Sequence, residues 1–157
     1  MKKWIVFAVI LLSAACVQSA MPTLEKVHAM KKPGTYEEYL NNIRTLLIFQ
    51  KEYFQEALDS LTAAKKNSKT DAEFAAAKEP IDKAIYEYTM LFSDKNREQM
   101  EYAKSLDGVT AQKVYTELAQ YYRDSEAVIL QYNQFMVSGT NQGYPSQEVL
   151  KKPGTPK

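Results

Sequence analysis

Few residues in this chain are able to do chemistry. It holds one cysteine, Cys16, and one histidine, His28. Structural zinc takes four cysteine or histidine ligands, so the usual zinc sets are excluded. A lone cysteine makes no internal disulfide. His28-Ala29-Met30, with Met21 nearby, offers the imidazole and thioether groups that copper accepts, but on a stretch with no fixed geometry. Haem would need an axial ligand inside the helices, and the methionines there (Met90, Met100, Met136) read as packing residues. Glu52 and Glu56, like Glu98 and Glu101, share a helical face, but no Glu-x-x-His pair accompanies them as a di-iron bundle requires. There is no His-Glu-x-x-His, no Gly-x-Ser-x-Gly and no phosphate-cradling glycine loop. The expectation is a protein that is not an enzyme, with no catalytic, cofactor or metal site.

Tyrosine is the conspicuous residue, with eleven copies. A buried ring with its hydroxyl at the rim is a normal use of tyrosine in a thin helical bundle. The other reading is a groove or interface, where tyrosine is enriched. Tyr121 and Tyr122 stand out, because a helix turns about 100° per residue and the two rings cannot face one core. With Tyr86 and Tyr88 they are the candidate interface or ligand-binding residues.

The chain begins with Lys2 and Lys3, then nine apolar residues from Trp4 to Leu12, then the small residues Ser13, Ala14 and Ala15. That is the order of a secretory signal peptide, and its core is far shorter than the roughly 20 residues of a membrane-spanning helix. Leu12-Ser13-Ala14-Ala15-Cys16 resembles the lipobox of bacterial lipoproteins, with the leucine one place further from the cysteine than the family usually has it. The resemblance implies cleavage before Cys16 and acylation of its sulfur, giving a stable membrane anchor. Val17 in place of aspartate after the cysteine implies the outer membrane, facing the periplasm. The alternative is cleavage after Ala20, which releases a soluble secreted or periplasmic chain and discards Cys16. Loss of Lys2 and Lys3 takes the net charge from +1 to −1, with no electrostatic footprint for nucleic acid.

These features must be positioned by helices. Residues 16–34, with Pro22, Pro33 and Gly34 and no sustained period, read as the lipidated cysteine and a flexible tether. A first helix runs from about Tyr36 to Lys66, where Thr35 and Glu38 fit a capping box. Leu40, Ile43, Leu47, Phe54, Leu58 and Leu61 form its apolar stripe. A second starts near Asp71, again behind a Thr70–Glu73 pair, and Pro80 should kink it. The polar run Ser93 to Gln99 interrupts its stripe, as a solvated turn of continuing helix or as a break near Asp94 that gives four helices; continuity is the preferred reading. Asp107-Gly108 reads as a turn, and a third helix follows from about Ala111 to Val137, capped by Thr110. Its stripe of Val114, Leu118, Tyr121, Ser125, Val128, Tyr132 and Phe135 alternates steps of 4 and 3 residues, as coiled-coil seams do.

The predicted fold is therefore all-α: an elongated antiparallel three-helix bundle over 35–138, after a signal peptide over 1–15 and before a disordered tail over 139–157. Lys31-Lys32-Pro33-Gly34-Thr35 recurs as Lys151-Lys152-Pro153-Gly154-Thr155, either by chance or as a duplicated docking segment. The expected function is a non-enzymatic envelope lipoprotein. Its partners would be the membrane, through the anchor, and an envelope protein or cell-wall polymer, with self-association through the third helix open. The alternative is a periplasmic module that holds a small or chain-like ligand between helices near the tyrosines.

Overall fold

The computed structural model describes residues 22–139. Among these the chain is all-helical: α1 (Glu25–His28), α2 (Tyr36–Asn67), α3 (Asp71–Ala103) and α4 (Gly108–Ser138). The three long helices have 32, 33 and 31 residues. At about 1.5 Å per residue each is close to 50 Å long.

The helix starts are written in the sequence. Thr35 accepts from the Glu38 amide while the Glu38 carboxylate accepts from Gly34 and Thr35, so the expected capping box is complete. Thr70 caps α3 in the same way, but Glu73 reaches one residue further back, to the Lys69 amide. The start of α4 differs from expectation. Asp107, not Thr110, is the cap: its carboxylate accepts from the amides of Val109 and Thr110 and from the Thr110 hydroxyl. A carboxylate satisfies these orphan amides and favours the positive helix end, so the helix begins at Gly108 instead of Ala111. Gly139 ends α4 with φ of 66°, a left-handed conformation that glycine adopts without strain.

Packing pairs give the topology. Tyr39 meets Tyr102, Tyr53 stacks on Tyr88, and Lys65 lies over Phe74, so α3 runs antiparallel to α2. Tyr36 meets Lys113, Arg44 meets Tyr121, and Phe54 meets Tyr132, so α4 runs parallel to α2. α2 is thus the central element. One core cluster, around Leu58, Leu61, Ile81 and Phe135, joins all three helices at the end near the α2–α3 turn. A second, around Ile43, Leu118 and Leu106, joins them at the end where α3 passes to α4.

Two expectations about the second helix are decided. No break forms near Asp94; α3 is continuous through the polar run, and Pro80 sits within it on the exposed side. Nor is that run merely a solvated face. Gln99 is fully buried, and Lys95 donates to the Met30 carbonyl at 2.8 Å.

The expected flexible tether also departs from its reading over 22–34. Val27 is fully buried and Met30 nearly so, packed with Leu46, Phe49, Leu91 and Phe92. The Asn42 amide donates both to the Lys31 carbonyl and to Gln99 Oε1. Four residues are too few to show a helical period, so the packing that orders α1 comes from the bundle. The first Lys-Lys-Pro-Gly-Thr copy joins α1 to the α2 cap, with Pro33 buried and both lysines exposed. The second copy lies outside the described residues.

Candidate functional site

The third core cluster is built from α1, α2 and α3 and contains no residue of α4. At this level Leu91 and Phe92 of α3 turn towards α1. Consequently α3 and α4 both pack on α2 but scarcely approach each other. The bundle closes at its two ends and parts between them, leaving a cleft of about 510 Å³ floored by α2.

Ile43, Leu47 and Gln50 form part of the floor, Phe92, Asn96 and Met100 the α3 wall, and Tyr122, Glu126 and Ile129 the α4 wall. The lining is mostly apolar. Its buried polar pair is already satisfied, since the Ser125 hydroxyl donates to Gln50 Oε1 at 2.6 Å. Tyr39 and Tyr122 supply two phenols, and burial pushes both above the ordinary phenol range, with a neighbouring tyrosine adding to each. The raised values keep both phenols neutral. Glu126 is the one charged side chain in the lining, and it has no hydrogen-bond or ion-pair partner among the described residues. The arrangement suits holding an apolar group.

The chain has no significant match to any protein-family model, curated protein or solved structure.

Of the four tyrosines singled out from sequence, only Tyr122 reaches the cleft. Tyr121 lies under Arg44, whose guanidinium carbon is 5.9 Å from the ring centroid. Tyr86 is 66 % exposed on the outer side of α3. Tyr88 corrects its reading as an interface residue: it is 1 % exposed, stacked on Tyr53 at 4.5 Å and edge-on to Phe54. Two residues apart on a helix, Tyr86 and Tyr88 face nearly opposite ways. Cys16 and Met21 lie outside the described residues. His28 is exposed, and among the described residues no three His, Cys, Asp or Glu side chains gather as metal ligands. A second, shallower hollow at the α2–α3 turn is lined by Lys65, Lys69 and Thr70, but the local helix-start bonds already use Thr70 and the Lys69 amide. Met100, read from sequence as a packing residue, is half-exposed on the cleft wall, whereas Ile129 and Glu126 are missed because sequence reasoning assigns each helix one face to bury.

The tyrosines set the response to alkali. Burial raises Tyr53, Tyr88 and Tyr132 as well as Tyr39 and Tyr122. A raised phenol favours the folded state below its unfolded value of about 10, and that contribution is lost as pH rises towards the folded value. The expected result is cooperative loss of helical circular dichroism above pH about 10, in step with tyrosinate absorbance. Tyrosines that titrate near their ordinary value while the helix signal persists would contradict it.

Proposed function

We propose that the chain is a non-enzymatic lipoprotein of the bacterial envelope whose bundle binds a partner in the cleft between α3 and α4. The observation that carries this is the parting of the bundle in its middle. An apolar cleft is kept open where closure of α3 on α4 would bury more surface, and apart from Glu126 its polar groups are paired or neutral. Acylation at Cys16 would hold the bundle at the outer membrane, facing the periplasm, and no described helix is long and apolar enough to cross a membrane. A second reading is a module for a small or chain-like ligand, favoured by the cleft volume. Ligand pockets typically span roughly 300–1,000 Å³.

Two measurements test the two halves. The intact mass of the protein from its native host should correspond to a chain that starts at Cys16 and carries two or three acyl groups. A bare chain from Met21 would remove the anchor. For the cleft, a photo-reactive side chain at Met100 should form a defined adduct in intact cells, and the same group at Tyr86 should not. Both positions are more than half exposed, so equal labelling would defeat the cleft assignment.

A further inference from the structure

α4 carries a second seam beside the one it buries against α2. Tyr115, Tyr122, Ile129 and Met136 recur every seven residues, with Ala119, Glu126 and Asn133 between them, so the steps alternate 4 and 3. That is the spacing by which one helix receives another. The seam runs about 32 Å along the helix. Its apolar members are left partly open: Tyr115 is 59 % exposed and Met136 39 %, flanked by Leu130 and Val137. Tyr115 and Tyr122 stack at 5.6 Å, which holds the upper part of the seam flat. The middle of the seam is the α4 wall of the cleft, with the half-exposed Met100 of α3 across from it.

We infer that this seam receives an amphipathic helix of another protein, one that carries a lysine or arginine at the centre of its apolar face. The inference rests on the cleft being the binding face, and the charge of the seam selects the occupant. Glu126 stands at its midpoint, unpaired, and is the one charged group in the cleft lining. A basic side chain laid against the seam there gains a charge-assisted bond that the docked helix then shields from water. A second copy docked antiparallel about the same midpoint would set Glu126 against Glu126, which disfavours a symmetric pair. An anionic lipid headgroup meets the same repulsion.

The test uses the chain purified from its native host and two labelled helical peptides of about four heptads. Both have leucine at the seam positions; one has a central lysine and the other a central glutamate. The lysine peptide should bind at least tenfold more tightly by fluorescence anisotropy, and Glu126→Lys should reverse the order. Glu126 is exposed, so that variant should keep its helical circular dichroism. Equal binding of both peptides, or an order unchanged in E126K, would overturn the inference. So would sedimentation as a dimer that Ile129→Glu breaks. If neither peptide binds while the Met100 adduct persists, the helix inference fails and the cleft reading stands. Loss of the Met100 preference over Tyr86 defeats the cleft reading itself.

Discussion

Replacing Tyr88 by alanine should lower the free energy of unfolding by about 3–5 kcal/mol, while replacing it by phenylalanine should raise it by about 1 kcal/mol. The two changes separate what the ring contributes from what the hydroxyl costs. The ring is the hub of the aromatic core. It stacks on Tyr53 at 4.5 Å, meets Phe92 at 5.8 Å, and stands edge-on to Phe54, which in turn stands edge-on to Tyr132 of α4. Truncation to alanine breaks an aromatic relay from α3 through α2 to α4, and α2 cannot collapse into the gap while both ends of the bundle are closed. The hydroxyl is different. It is buried with no hydrogen-bond partner among the described residues, whereas that of Tyr53 donates to the Ala84 carbonyl at 3.3 Å. An unsatisfied buried hydroxyl costs about 1–3 kcal/mol in lost hydration, so its removal stabilises. Urea unfolding of the three chains, with slopes compared, measures both effects. A phenylalanine variant weaker than the parent by more than about 1 kcal/mol would show that the hydroxyl has a partner in the folded protein.

Residues whose role is set locally are legible in the sequence. Thr35 and Thr70 are read correctly because a cap depends on three or four neighbouring residues. The α2 stripe is read correctly because one face of a long helix must be buried, and Ile43, Leu47, Leu58 and Leu61 are buried. Asp107 escapes notice although it is a better cap than Thr110, because a helix whose first residue is glycine looks like a turn. Tyr88 is misplaced by composition: abundant tyrosine suggests a surface, but position 88 falls on the same face as Ile81 and Phe92. The cleft is harder to see. Its α4 wall is the middle of a seven-residue repeat, Tyr115 to Met136, which is hidden once the 114–135 stripe has been assigned to the core. The parting of α3 from α4 coincides with the packing of Leu91 and Phe92 on α1, whose order comes wholly from its partners.

Val27→Asp tests that dependence. Val27 is fully buried, and a carboxylate cannot stay there without a partner. The surrounding bundle need not unfold, because the two end clusters contain neither Val27 nor Met30. The segment should detach instead. It gives up the burial of both side chains, about 1.5–3 kcal/mol each, together with the Asn42–Lys31 and Lys95–Met30 bonds. Trypsin should then cut after Lys26 or Lys31 at least tenfold faster than in the parent, with a resistant core spanning α2, α3 and α4 recovered. Cleavage spread evenly through α2, α3 and α4 would show that the variant unfolds globally. Detachment has a second expected result, at the cleft. With α1 gone, Leu91 and Phe92 lose apolar surface they pack on, and the nearest replacement is the wall formed by Tyr122 and Ile129. α3 should close on α4, and a helical peptide with a central lysine should bind V27D several-fold more weakly than the parent. Unchanged binding by the detached form would mean that the cleft is held open by the long helices alone and that α1 only covers their outer groove.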